Sequence, residues 1–278
     1  MAGGFLKEEG ITATYDAAEP GKGVPEGIRD GSVQVAQSAV ATSFALLAKH
    51  ESVPYVHFAQ INTRDGFFIA GRKPEPEFHW SQLRGKTVLV DHFFQPMAMF
   101  RYAVYRQGVD FGAIKVIDAG DVSAIDRAFR SGQGDYVHQQ GPAPQQLEKD
   151  GIGHVVASVG AAIGPVAFSS LCASREWLAT EQARAFMRAY RRARHHVQTA
   201  PAAEIAATEA KFFPGIDRDV LVRTLSAYQQ LGCWTGDVAI DPAAYETLLD
   251  VFAHSEQLDR RFAYAELIAP PPTDTKRN

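Results

Sequence analysis

Cysteine is scarce in this chain: two residues, Cys172 and Cys233, in 278. Two thiols exclude a disulfide framework and a four-cysteine zinc site, and they leave the redox compartment open. Long apolar runs are missing as well. None approaches the roughly 20 residues that span a bilayer, so no direct membrane insertion is expected. Met1 to Gly10, MAGGFLKEEG, has neither the basic start nor the apolar stretch of a secretory signal. The chain is therefore expected to be cytoplasmic, or a mature or truncated form of an exported protein. Positive charge is not in excess: the formal net charge is -4, which argues against a nucleic-acid partner. The nine histidines show no H-E-x-x-H or facial-triad spacing. The adjacent pair His195-His196 would diverge on one helix. Neither a metal site nor a cofactor is expected. Nucleophilic catalysis is no better supported, because Cys172 at a strand end reads as a small buried hydrophobe.

What is present is ordinary for a globular protein: 46% hydrophobic and 22% charged residues, in a chain long enough for two full cores. A helix end at 4–9 stops at Gly10, and Ile11 to Tyr15 alternates like a strand. Ser32 to Ala36 reads as a strand, with Ser38 as the cap of the helix that follows. Val53 to Gln60 and Gly66 to Gly71 read as consecutive strands. Strand and helix then alternate over 86–90, 95–107, 113–117, 122–130 and 135–138. A short helix over 142–149 leads to strands at 155–158 and 166–171, and everything from Ser174 to 254 is helical. The proline-rich end, residues 269–278, is expected to be disordered. Such alternation calls for mostly parallel sheets. The consecutive strands near 53–71 and 155–171 are natural crossings between two lobes. The expected boundaries are 1–69 plus 169–278 for lobe one and 70–168 for lobe two. On the helix at 181–198, Ala183, Phe186, Met187, Tyr190 and Val197 form the apolar stripe. That leaves Arg184, Arg188, Arg191, Arg192 and Arg194 for a solvated outer face.

Four turns follow strands that point at the cleft, and each supplies candidate ligand contacts: Gln37-Ser38, Asp91 to Gln95, His138 to Gly141, and Phe168 to Ser170. The second is the most informative. A helix start that cradles an oxyanion uses Gly, Ser or Thr, so that backbone N–H groups reach the anion. Here the turn carries His92, Phe93, Phe94 and Gln95. Two Phe faces and an amide that both donates and accepts suit a planar organic ligand. His138, Gln139, Gly141 and Ser169 complete the expected set.

Several segments resemble the SsuA/THI5-like solute-binding family of ABC importers: GGFLKEEGITATYD, the block from Glu26 to Ala59, DGFFIAGRK, FHWSQLRGKTVLV and AIDRAFRSGQGDYVHQQGPAPQQLEKDG. The match runs from about residue 3 to 200, and FHWSQLRGKTVLV is its most specific piece. The resemblance implies an α/β, two-lobed type II periplasmic-binding-protein-like fold with two interlobe crossings and a helical C-terminal third. It further implies a periplasmic location, an ABC permease as partner and a small-molecule ligand such as a sulfonate, pyrimidine or aromatic acid. The chain departs from the family pattern in three places. The sequence starts inside the helix that follows the family's first strand, the turn 91–95 carries bulk in place of the small residues expected there, and Gly141 stands where an acidic residue is expected before Pro142. Two alternatives remain at this point. One is an enzyme of the same fold acting on a heteroaromatic or sulfur compound. It lacks the cysteine run of the pyrimidine-synthase relatives and the N-terminal cysteine of the sulfinate desulfinases. The other is a degenerate homologue with only a protein partner.

Overall fold

The computed structural model describes residues 1–16, 23–91 and 94–274. Two sheets organise it. The smaller has the order β1-β8-β2, built from β1 (Ala36–Ala39), β8 (Ser169–Ala173) and β2 (Val56–Asn62). The larger has five strands in the order β5-β4-β6-β3-β7, namely Lys115–Ile117, Thr87–Leu89, Tyr136–Gln140, Phe67–Gly71 and His154–Ser158. In it β4 runs parallel to β5 and β6, as the strand–helix alternation predicts. In the small sheet β8 runs antiparallel to both neighbours, which corrects the expectation of mostly parallel sheets there. The reason is topological: β8 re-enters from the other lobe instead of arriving through a local helix. β3 is likewise antiparallel to β6 and β7, because it too enters by a crossing.

The two crossings lie side by side. Residues 63–66 join β2 to β3, and the return runs through 164–168. Val166 N–H donates to Thr63 O at 3.0 Å, and the Gln60 amide donates to Val166 O at 2.9 Å. The lobe boundary expected after residue 69 thus falls inside β3, all of which belongs to the larger sheet.

Around the larger sheet lie α4 (Phe94–Arg106), α5 (Val122–Arg130), α6 (Ala143–Lys149) and α7 (Val159–Ile163). Around the smaller lie α3 (Val40–Ala48), α8 (Arg175–Leu178), α9 (Glu181–Thr199), α10 (Ala202–Glu209), α11 (Arg218–Leu231) and α12 (Pro242–His254). Where α3, α4 and α12 meet, the two lobes share one apolar seam. Phe44, 1% exposed, stacks on Phe262 at 5.4 Å and meets Phe252 edge-on at 5.6 Å. Burying such a ring contributes about 2–3 kcal/mol, so this side of the molecule is closed by packing.

Three local expectations are corrected. Ile11 to Tyr15 is extended but forms no strand, because no neighbouring strand pairs with it among the described residues. Ser38 lies within β1, opposite Ser170, and the cap of α3 is Ala39. The arginines of α9 are not a bare solvated face. Arg188 binds Glu9 and Asp274, and Arg192 binds Glu8 and Glu9, so they tie α1 (Phe5–Glu8) and the chain end to α9. Arg194 is buried. Of the expected disordered tail, residues 269–274 are described and held: Ala269 N–H donates to His57 O, and Arg191 donates to Pro272 O.

Candidate functional site

At the C-terminal ends of β4 and β6 the chain leaves a cavity of about 330 Å³, lined by Phe67, Asp91, His138, Gln139, Gln140 and Gly141 among others. Strand alternation sets who points where. His138 shares a face with Ile69, its cross-strand partner, and stacks on Phe67 at 4.6 Å and against Phe100 at 5.2 Å. Gln139, paired with Phe68, lines the same cavity where the strand ends. The end of α5 contributes Arg130, whose charge is already answered by Asp126 at 2.6 Å and Asp150 at 2.8 Å.

Three polar side chains here, those of His138, Gln139 and the neighbouring Gln95, are buried and have hydrogen-bonding capacity unspent. His138 is fully buried, and among the described residues neither ring nitrogen has a partner. Burial pulls its pKa down to about 3, so the imidazole is neutral and offers one donor and one acceptor. Gln139 is 2% exposed and both amide atoms are without partners. Gln95, in the first turn of α4, donates through Nε2 to Phe168 O at 3.2 Å, while its buried Oε1 accepts nothing. An unmet buried donor or acceptor costs about 1–3 kcal/mol, and native proteins tolerate such atoms where something else satisfies them.

Across the crossing, Gln37 donates to the Ser169 hydroxyl at 3.3 Å. Phe168, next in the chain, meets Phe67 edge-on at 6.4 Å, which links this group to His138. Beneath lies a buried relay. Ser170 donates to Ser38 O at 3.1 Å and sits 2.7 Å from His57 Nδ1, while Ser43 sits 3.0 Å from His57 Nε2. Since the Ser170 proton goes to Ser38, Nδ1 carries the imidazole proton and Nε2 accepts from Ser43. Burial lowers His57 to about 3 and keeps it neutral. This relay is sealed at zero exposure and holds β1, β2 and β8 together rather than doing chemistry.

Of the residues expected from sequence, Asp91, His138, Gln139 and Gly141 share one cavity, and Gln37, Ser169 and Gln95 gather at the crossing next to it. Ser38 does not join them, since its hydroxyl donates to Ala39 O. Phe94 turns away and packs on Phe252 of α12 at 4.7 Å, so it serves the interlobe seam. His92 and Phe93 lie outside the described residues. Gln140, part of the expected turn His138 to Gly141, also lines the cavity, and sequence reasoning missed Phe67. The signal for Phe67 was its place at the start of the strand that leaves the crossing. Cys172 is fully buried, donates to Ala36 O, and has its thiol pushed up to about 12 by burial, which removes it as a nucleophile. Among the described residues no cluster of metal-ligating side chains occurs. No helix among them is long and apolar enough to cross a membrane.

Residues 1–204 match the family described as NMT1/THI5 like. YtlA of Bacillus subtilis (strain 168) is 28% identical over 269 residues, which is 95% of this chain and 80% of that one. A solved protein of Bordetella bronchiseptica RB50 superposes with a TM-score of 0.67 at 20% identity, covering 97% of this chain and 88% of the other. The alkanesulfonate-binding protein SsuA from Xanthomonas axonopodis pv. citri, bound to MOPS, superposes with a TM-score of 0.66 at 17% identity, covering 89% and 84%. At these identities the two structures speak to fold. The fold is the two-lobed, type II periplasmic-binding-protein-like one.

Proposed function

The chain belongs to the NMT1/THI5-like family, and we propose that it is the solute-binding protein of an ABC-type importer, taking a planar organic molecule between its lobes. The observation that carries this reading is the group of buried, unpaired polar atoms on His138, Gln139 and Gln95. They stand at strand ends and a helix start next to the interlobe crossing, where a solute touching both lobes would couple binding to lobe closure. The lobes divide at the two crossings, 63–66 and 164–168, so that all of β3 goes with lobe two. The partner that receives the solute is an ABC permease.

The chemistry of these atoms narrows the solute. Gln139 offers an amide donor and acceptor, Gln95 an acceptor, and His138 one of each. Among the described residues the one guanidinium lining this cavity, Arg130, is neutralised by two carboxylates. Mixed donors and acceptors without a spare cation favour the edge of a neutral heterocycle, such as a pyrimidine, over a fully ionised sulfonate. The test is a thermal-shift titration of the wild type and Gln139→Leu with pyrimidines, sulfonates and aromatic acids. A pyrimidine-class solute should raise the wild-type melting temperature and leave that of Gln139→Leu unchanged. The ligand-free variant should be no less stable than the wild type, because two buried unpaired atoms are removed. A panel without any binder, or a binder indifferent to Gln139, would overturn the assignment.

A further inference from the structure

A second cavity, of about 340 Å³, lies between α9, α10 and α11 and shares only Gly141 and Pro142 with the polar one. Its character is opposite. Four aromatic side chains, Tyr190, Phe213, Tyr228 and Trp234, dominate its walls. The two tyrosine hydroxyls are already engaged: that of Tyr190 donates to Gln60 O at 2.8 Å and that of Tyr228 to Gly66 O at 3.1 Å. Thr224 donates to Val220 O within its own helix. The exception is Arg194.

Arg194 lines this chamber and is 4% exposed. Its guanidinium donates to four main-chain carbonyls. Nε bonds Trp234 O at 3.1 Å, one terminal nitrogen bonds Gln60 O and Ile61 O, and the other bonds Thr235 O at 3.4 Å. A guanidinium has five N–H groups; four meet these carbonyls, and the remaining one lies beside the Tyr190 hydroxyl. The four carbonyls are neutral, and they do not cancel the charge. Among the described residues, the ionisable groups that act on Arg194 are the Tyr190 phenol and the Cys233 thiol. Burial pushes each of these up to about 12, so both are uncharged near neutral pH. A buried cation whose ionisable neighbours are uncharged is costly unless an anion completes it. Glu209 stands at the chamber too, half-buried at the end of α10, and repels an acid group that stops near it.

We propose that this chamber is a second binding site, for a small aromatic carboxylate whose acid group meets Arg194 and whose ring lies among Tyr190, Phe213, Tyr228 and Trp234. Aromatic walls take a flat ring by stacking, and a charge-assisted hydrogen bond fixes its orientation. The site is independent of the polar cavity and of the solute proposed for it. Occupancy would join α9 to α11, and so couple lobe one to the Gly141–Pro142 turn of lobe two.

The test uses 1-naphthoate and its neutral counterpart 1-naphthamide, followed by isothermal titration calorimetry on the full chain. The wild type should bind naphthoate saturably, and at least about tenfold more tightly than the amide, as expected for a hydrogen bond to a charged group. Leu225→Trp, which fills the chamber from α11 without touching Arg194, should abolish binding. Gln139→Leu should leave it unchanged. Arg194→Met should erase the preference for acid over amide; if that variant fails to fold, the acid-to-amide ratio and Leu225→Trp still decide. Absence of saturable binding, equal affinity for the amide, or loss of binding in Gln139→Leu but not in Leu225→Trp would each overturn the proposal.

Discussion

Asp65 sits on the first crossing between the lobes and is fully buried. One carboxylate oxygen accepts the Phe67 N–H at 2.6 Å, and the other has no partner. Desolvation raises its pKa from 3.8 to about 7, against the smaller lowering effect of the Phe67 bond. The groups facing it are Tyr228 and Cys233, both neutral near pH 7, and Arg64, which is directed to Gly160 O at 3.3 Å. The sign follows from linkage. A carboxyl whose folded pKa is raised binds its proton more tightly folded than unfolded. Stability from this group is therefore complete below about pH 4 and is lost as pH climbs towards 7. A difference of about 3 units at about 1.4 kcal/mol each amounts to roughly 4 kcal/mol over that range. His57 and His138, lowered to about 3, act in the opposite direction as pH falls below 6.5, so the wild-type profile alone is a sum. The difference between Asp65→Asn and the wild type isolates Asp65. Asparagine keeps the acceptor for Phe67 and cannot ionise. Urea unfolding of both proteins from pH 4 to 8 should show the variant gaining on the wild type by a few kcal/mol as pH rises. A difference that stays constant across this range would refute the desolvated-carboxyl reading. If the crossing bends during lobe closure, solute affinity should carry the same pH signature in the wild type and lose it in the variant.

The remaining predictions test burial and close packing. The Cys172 and Cys233 thiols, both buried and both pushed up to about 12, should fail to react with a disulfide reagent at pH 8 until urea unfolds the chain; reaction of the native protein within minutes would contradict it. His57 and His138 should keep neutral-imidazole NMR shifts down to pH 5, whereas ordinary histidines titrate near 6.5. Gly160→Ala places a Cβ 2.2 Å from Asp65 O, which is backbone and cannot swing aside. It should destabilise the protein by about 1–3 kcal/mol in urea unfolding, despite the better helix propensity of alanine. A neutral or stabilising outcome would mean that the crossing is looser than its contacts indicate.

Local pattern was enough for much of this fold. The β-branched run before residue 91, the helical spacing from Pro96 to Gln107 and the alternation that follows specify β4, α4, β5 and α5 to within a few residues, because backbone and side-chain preferences act over single turns. The same holds for α9, whose cap at Thr180 and apolar Ala183 and Met187 are local facts. The convergence of His138, Gln139 and Gly141 with Asp91 was also legible, since turns after parallel strands share one edge of a sheet.

Other features belong to no single stretch. Ile11 to Tyr15 has strand alternation, but a strand exists only with a neighbour to receive its N–H and C=O groups, and none is beside it among the described residues. Ser38 looked like a helix cap until β8, more than a hundred residues later, paired with it and extended β1 to Ala39. Phe94 looked like a ligand platform until α12 brought Phe252 against it. Arg194 fell on the outer face by helical periodicity, yet the carbonyls of residues 60–61 and 234–235 enclose it and turn a surface charge into a buried one. Periodicity within the chain thus determined which elements form and which ends of them meet. Burial, register and the unspent hydrogen bonds that mark the polar cavity were decided by contacts between distant segments, because desolvation depends on everything that surrounds a group and not on its neighbours in sequence.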